Sequence, residues 1–217
     1  MAITGNINYS NAQAVSFINQ WASDNNVGIS AATTGSYTGI VIKDSDNNTI
    51  VNSNDHSSWI GLVAYYNNGA SYAGNCAYID ASSSGHNVVY DIYSCSNGLL
   101  IKLHDIGTNA DTTKFQWALI TKNDDGTIRV VVNSSDKAFN NPVCVLYSQA
   151  NTQSCTYTSN LANSTSLSNF VSKGSIGADS SCQYAYFMPL YQYSSAGIIT
   201  MNGKNYITNG YWCIQDE

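Results

Sequence analysis

Charged residues are scarce in this sequence. Only 10% of its 217 residues are Asp, Glu, Lys or Arg, against about 25% in an average soluble protein. The eight basic residues are scattered singly, and the formal net charge is -6. Because nucleic-acid affinity depends on clustered Lys and Arg that displace counterions, the sequence argues against DNA or RNA as a partner. Neutral hydrogen-bonding groups must cover most of the surface, which suits secreted, adhesive or virion proteins.

Long apolar runs are also missing. No stretch approaches the roughly 20 apolar residues of a membrane span. The first residues, Met1-Ala-Ile-Thr-Gly-Asn, contain neither the basic nor the apolar region of a signal peptide. We therefore expect a protein that is neither exported by that route nor embedded in a membrane. Release of a virus particle by host lysis would reconcile an extracellular type of surface with the lack of an export signal.

The sequence lacks the local signatures of a catalytic or metal site. Its histidines, His56, His86 and His104, form no His-x-His or His-Glu-x-x-His pattern, and we expect His56 and His86 in surface loops because Ser, Gly and Asn surround them. The only Glu is Glu217, and most Asp residues lie in turn-like contexts, which disfavours the paired carboxylates of a glycosidase. No Gly-x-Ser-x-Gly motif is present. We predict no enzymatic activity, no catalytic residues, no cofactor and no metal.

Two further features have simple structural interpretations. Asp44, Asp46 and Asn48 have the alternate oxygen spacing of a calcium loop, but they lack its sixth-position Gly and closing Glu, so a hairpin turn is favoured. No Cys-x-x-Cys occurs among the cysteines. We expect them to be reduced thiols in the core, with disulfides as the alternative. These cysteines are Cys76, Cys95, Cys144, Cys155, Cys182 and Cys213.

Short β-prone runs that alternate with polar turns fill most of the chain. Asn97-Gly98 and Asp125-Gly126 separate alternating apolar runs, which is the strongest local signal for a hairpin. Asn202-Gly203 and Asn209-Gly210 predict a closing β-meander. The predicted hairpins pair 36–43 with 49–52, 59–66 with 76–80, 88–94 with 99–104, and 114–121 with 127–132, followed by 142–147 with 154–158 and a late strand over 182–193. This pattern predicts a mainly β fold, an antiparallel β-sandwich or jelly-roll-like domain.

One amphipathic helix is predicted near the start. Ser10 and Gln13 form a Ser-x-x-Gln capping box. Ala14, Phe17, Ile18 and Trp21 then follow at the spacing of one helical face. We divide the chain into residues 1–26, an arm and helix that dock on a neighbouring subunit or partner protein, and residues 27–217, a single antiparallel β domain.

Aromatic residues give the strongest remaining signal, since the chain contains 16 Tyr. Tyr has a rigid apolar ring with a polar tip, and it is common at protein interfaces and on sugar-binding surfaces. Strand alternation places about half of such rings in the core, but as a group we favour a protein interface. The candidates are Phe17, Ile18, Trp21, Trp59, Tyr65, Tyr66, Tyr184, Tyr186, Tyr191 and Tyr193.

The stretch Gly197-Ile-Ile-Thr-Met-Asn-Gly-Lys-Asn-Tyr-Ile-Thr-Asn-Gly-Tyr-Trp212 resembles the closing hairpins of structural proteins of tailed bacteriophages, and the hairpin 117–128 has the same character. The resemblance implies a non-enzymatic virion protein that assembles in symmetric multiples. We expect a structural component that decorates or joins the particle through homo-oligomeric contacts and contacts with other virion proteins. The alternative is a receptor-recognition domain of a tail or head fibre that binds a host surface glycan.

Overall fold

The computed structural model describes residues 4–34, 39–53, 59–66, 69, 71–73, 79–80, 83–96, 98–110, 115–122, 128–132, 143–146, 153–154, 174–175, 183–184, 187–189, 197–201, 204–208 and 212–215. These residues form one helix, α1 (Asn11–Asp24), and strands β1 (Thr4–Tyr9), β2 (Ile29–Thr34), β3 (Gly39–Asp44), β4 (Thr49–Asn52), β5 (Trp59–Ile60), β6 (Val63–Tyr66), β7 (Ser71–Ala73), β8 (Ile79–Asp80), β9 (Val88–Cys95), β10 (Gly98–Asp105), β11 (Phe115–Lys122), β12 (Ile128–Val132), β13 (Val143–Leu146), β14 (Gln153–Ser154), β15 (Gly174–Ser175), β16 (Gln183–Tyr184), β17 (Phe187–Pro189), β18 (Gly197–Met201), β19 (Lys204–Thr208) and β20 (Trp212–Gln215).

The strands assemble into antiparallel sheets, so the predicted mainly β, antiparallel class with one helix is confirmed. A seven-stranded sheet has the order β1-β9-β10-β11-β12-β13-β14, and a five-stranded sheet has the order β2-β3-β4-β6-β7. The closing strands form a four-stranded sheet, β17-β20-β19-β18, which contains the predicted meander. Two short pairs, β5-β8 and β15-β16, complete the described part of the chain.

Helix α1 begins and ends where its sequence predicts. The Ser10 side chain accepts a hydrogen bond from the Gln13 amide, and the Gln13 side chain accepts one from the Ser10 amide (3.0 Å), so the capping box is confirmed. After the helix ends at Asp24, Asn26 adopts a left-handed conformation with φ of 51°. The Trp21 indole N–H donates to the buried Cys95 carbonyl (2.7 Å), which joins the helix to β9.

A single hydrophobic cluster is shared by α1, the five-stranded sheet and the seven-stranded sheet. Its members include Ala14, Ile18, Trp21, Ile29, Ala31, Ile40, Ile42, Ala64, Tyr90, Ile92, Leu99, Ile101, Leu103, Ala118, Ile120, Val130 and Val132. Inside it, the Tyr90 and Ser53 hydroxyls lie 3.0 Å apart, and the Ile40 amide donates to the Ser53 hydroxyl. Burial of apolar side chains from all three elements is therefore what holds the helix and both sheets together.

The N-terminal segment is built into this fold from residue 4 onward. Strand β1 pairs with β9, with Thr4 opposite Ser94 and Tyr9 opposite Tyr90. A bulge interrupts the pairing between Asn6 and Tyr9, and β18 also contacts β1. The segment predicted as a docking element therefore contributes an edge strand and a core helix to its own chain.

The predicted second hairpin is confirmed only for residues 59–60, which pair with residues 79–80. The run over 59–66 is broken at Gly61, whose amide donates to the Ser53 carbonyl (3.0 Å). Strand β5 then pairs with β8, whereas β6 pairs with β4 and β7. The late run over 182–193 is likewise divided into β16 and β17, which lie in different sheets. In both cases the two halves of the run pair with different strands, which overrides the continuity of the apolar pattern.

Candidate functional site

Polar side chains collect on the face of β9, β10 and β11 that points away from the shared hydrophobic cluster. In β10, Leu99, Ile101 and Leu103 belong to the cluster, so strand alternation places Lys102 and His104 on the opposite face. Asp91 of β9 is directly opposite Lys102. On the other side of β10, Trp117 is opposite Lys102 and Phe115 is opposite His104. We call Asp91, Lys102, His104 and Phe115 the β10 cluster.

The Asp91 carboxylate is the acceptor of the β10 cluster. His104 Nε2 lies 3.0 Å from its Oδ1, and the Asn8 amide donates to the same oxygen at 2.9 Å. Lys102 Nζ is 3.8 Å from Oδ2. Burial raises the pKa of Asp91, but the hydrogen bonds from His104 and Asn8 and the charges of His104 and Lys102 outweigh it, so this pKa is lowered overall. Asp91 therefore stays ionised and ties β1 to the centre of the seven-stranded sheet.

The Lys102 ammonium also contacts two aromatic rings. Its Nζ lies 5.4 Å from the centroid of Phe115 and 5.7 Å from that of Trp117. Cations at this distance are attracted by the negative face of an aromatic ring. At 3.8 Å from Asp91 the ammonium is beyond ordinary hydrogen-bond distance. The partners described for Lys102 hold it by charge attraction, so its N–H groups can still donate to a ligand.

A second histidine and carboxylate pair lies beside the cluster. His86 Nδ1 is 2.5 Å from Asp105 Oδ2. The amides of Asn87 and Gly107 donate to Asp105 Oδ1 at 2.7 and 2.8 Å. Burial raises the pKa of Asp105, but these two amides and His86 outweigh it and lower that pKa overall. Asp105 therefore clamps the turn over residues 83–87 to the loop that follows β10.

Two glycines allow the turn and the loop to meet closely. Gly85 has φ of 89°, a conformation that other residues rarely adopt. A side-chain carbon on Gly107 would collide with the backbone of Gly85. The Asn109 amide donates to the Gly85 carbonyl (2.9 Å), and the Ile106 amide donates to the Asn87 carbonyl (2.9 Å). The loop after β10 is therefore held in place by backbone contacts as well as by Asp105.

A cavity of about 300 Å³ opens between this loop and the β10 cluster. Lys102, His104 and Phe115 line it from the sheet. Asp105 at the end of β10 and Ile106, Gly107 and Ala110 of the loop also line it. Its volume is at the lower end of the range for small-molecule pockets.

Comparisons of this chain with protein-family models, curated proteins and solved structures gave no match. Within the part of the chain that the structure describes, no helix is both long and apolar enough to cross a membrane. In the same part, no three His, Cys, Asp or Glu side chains are grouped so that they could hold a metal ion.

The predicted interface residues are distributed over several environments. Ile18 and Trp21 are 0% and 3% exposed in the shared cluster, so both pack inside their own chain. Phe17 packs partly against that cluster, and its ring centroid lies 5.8 Å from that of Tyr9. Tyr65 is half-buried. Trp59, Tyr66 and Tyr184 lie in β5, β6 and β16, whereas Tyr186, Tyr191 and Tyr193 lie outside the described residues.

Other residues singled out in the sequence can also be located. The Asp44 carboxylate accepts hydrogen bonds from the amides of Asp46 (2.9 Å) and Asn48 (2.8 Å), so the predicted turn between β3 and β4 is confirmed. Cys95 is a buried thiol, as expected. It is the last residue of β9 and lies opposite Gly98, the first residue of β10. His86 lies in a loop as predicted, but it is half-buried against Asp105. His56 lies outside the described residues.

The sequence reasoning missed both histidine and carboxylate pairs. A usable signal was present, because the hairpin closes at Cys95 and Gly98. Counting outward by four residues on each strand from that closing pair leads to Asp91 and Lys102. His104 lies two residues beyond Lys102 on the same face. The Asp105 pair had no comparable signal, because it depends on how a turn and a loop meet.

Proposed function

We propose that this protein is a non-enzymatic structural component of a bacteriophage particle, which it decorates or joins through contacts with copies of itself and with other virion proteins. The two larger sheets form the layers of a β-sandwich around the shared core. The scarcity of charge supports this proposal, because protein interfaces are depleted in Lys, Glu and Asp. The resemblance of segments 197–212 and 117–128 to hairpins of phage structural proteins points in the same direction.

The observation that carries the proposal is the edge strand β1. It is the last strand on its side of the seven-stranded sheet, and its sequence Thr-Gly-Asn-Ile-Asn-Tyr contains no charged residue. Residues Thr4 to Asn8 are exposed even though the strand is paired with β9. Soluble proteins commonly protect such edges with Lys, Pro or inward-pointing charges. Within the described part of this edge, the bulge and the contact with β18 take the place of such residues.

Ile7 gives the edge an apolar contact point. Its side chain is 64% exposed at the bulge, between Asn6 and Asn8. We assign a second copy of the same chain as the occupant of this edge. Two copies related by a two-fold axis would place the same uncharged strand on both sides of the contact, and two-fold dimers are the commonest symmetric assembly.

The oligomeric state tests this proposal. Light scattering after size exclusion should give a mass above that of one 23.4 kDa chain for the wild type. Ile7→Asp should shift the population toward the monomer, because it places a charge at the centre of the contact. Ile106→Asp is the matched control, since Ile106 is also exposed (45%) but lies in the loop after β10. A wild type that is monomeric at every concentration, and absent by mass spectrometry from purified particles, would overturn the proposal.

The cavity beside Phe115 favours a second candidate function, the recognition of a host surface glycan. Glycan sites combine an aromatic surface with a few polar side chains. Phe115, Lys102 and His104 provide that combination at one opening.

A further inference from the structure

We propose that the cavity between the β10 cluster and the loop after β10 binds a single neutral sugar ring. The inference deepens the second candidate function, and it does not depend on the oligomeric state. Three features of the cavity carry it: the chemistry of its polar wall, its apolar surfaces and its balance of charge.

The polar wall presents one donor and one acceptor. When His104 is neutral, donation from its Nε2–H to Asp91 leaves Nδ1 as an acceptor. Lys102 carries N–H donors, and its ammonium is only loosely paired with Asp91 at 3.8 Å. One sugar hydroxyl can accept from Lys102 while a neighbouring hydroxyl donates to His104. The contact with Asp91 orients the His104 ring before the ligand arrives.

The apolar surfaces come from both sides of the cavity. Phe115 lies on the sheet side, while Ile106 and Ala110 lie on the loop side. A pyranose ring has C–H groups on its faces and hydroxyls at its rim, so it can contact apolar walls while its rim meets the polar groups. The volume of about 300 Å³ is at the small end for ligand pockets, which fits one ring better than an oligosaccharide.

The local charge argues against a simple anion as the ligand. Among the described residues that line the cavity, Lys102 is the one Lys or Arg, and the Asp91 carboxylate lies 3.8 Å from its ammonium. Asp105 also lines the cavity. Both carboxylates have lowered pKa values and remain ionised near neutral pH. The site thus offers no excess positive charge to an anion, whereas a neutral hydroxylated ligand meets no comparable electrostatic penalty.

The loop wall is already in place without a ligand. Asp105 accepts from the Gly107 amide, and the Ala110 amide donates to the Gly107 carbonyl (3.1 Å). Backbone bonds to Gly85 and Asn87 hold the same loop. A wall that is ordered beforehand reduces the entropy lost on binding.

Saturation-transfer NMR tests the site on the whole chain with glucose, galactose and N-acetylglucosamine as probes and acetate as a simple anion. At least one sugar should receive saturation, with a dissociation constant on the order of 1 mM. In amide-correlated spectra of the labelled wild type, that sugar should shift the signals of Lys102, His104 and Phe115. Transfer to acetate alone, transfer to none of the probes, or shifts elsewhere in the chain would overturn the proposal.

Variants then distinguish the loss of a sugar contact from a general effect on folding. Lys102→Met and His104→Gln should each weaken sugar binding about tenfold or more, because each removes one polar contact. Ser10→Ala is the control, because it removes the cap of α1, and Ser10 does not line the cavity. Thermal denaturation shows whether each variant is folded. Equal weakening by all three variants would contradict the assignment, and it would leave the dimer test at Ile7 unaffected.

Discussion

Replacing Asp105 tests whether its carboxylate is the clamp that the structure describes. The side chain is 1% exposed and accepts three hydrogen bonds, from His86 and from the amides of Asn87 and Gly107. Asp105→Ala removes all three acceptor contacts. Asp105→Asn keeps one oxygen for the two amides and removes only the charge and the His86 contact. Comparison of the two variants therefore separates the contribution of the two backbone hydrogen bonds from that of the charge and the His86 contact.

The expected losses follow from the number and kind of contacts. Hydrogen bonds to a charged group contribute about 1.5 to 3 kcal/mol each when they are buried. Asn87 is exposed and Gly107 is half-buried, so water can reach the freed amides and the lower end applies. We expect Asp105→Ala to lower the free energy of unfolding by about 4.5 kcal/mol and Asp105→Asn by about 1.5 kcal/mol. In a chain of this length, about 4.5 kcal/mol corresponds to a fall in melting temperature of roughly 9–18 °C.

The pH dependence supplies a second readout of the same clamp. The pKa of Asp105 is lower in the folded chain than in the unfolded chain. Its carboxylate therefore stabilises the fold fully above the unfolded pKa of about 4. This stabilisation is lost as the pH falls through the folded pKa. The stability difference between the wild type and Asp105→Asn should therefore shrink as the pH is lowered from 7 toward 2. Urea unfolding followed by tryptophan fluorescence, with reductant present, measures this stability difference at each pH. A difference that is constant with pH, or a loss below about 1 kcal/mol for Asp105→Ala, would refute the clamp.

Two further substitutions test the local backbone arguments. Ser10→Ala removes the helix cap and should cost about 1 kcal/mol, measured by thermal or urea unfolding; an unchanged stability would show that the capping box contributes nothing. Gly85→Ala should cost about 1 to 3 kcal/mol, because φ is 89° and the new carbon would meet the side chains of the following loop. Gly28→Ala is its control, since nothing lies within 4 Å of the added carbon there. Equal effects of the two glycine substitutions would contradict the strain argument.

In the β10 cluster, the fold pairs polar residues that are isolated from one another in the sequence. In the sequence, Asp91, Lys102 and His104 are three polar positions within otherwise apolar runs. Each would be costly to bury alone, because a charge taken out of water must be paired. The antiparallel register of β9 and β10 brings them together and supplies those partners. The proposed ligand site depends on the same pairing, since Asp91 orients His104 and attracts the Lys102 ammonium.

The sequence by itself determined the features that depend on neighbours a few residues apart. The Ser10 cap, the Asp44 turn and the hairpin closed by Gly98 each follow from short-range hydrogen bonds and backbone preferences. Only the tertiary structure decided that β1 pairs with β9, that the run over 59–66 divides, and that Asp105 meets His86. These contacts join distant segments, and their free energy depends on which apolar faces share a core. No local pattern records that choice, because the same alternating strand can pair equally well with many others.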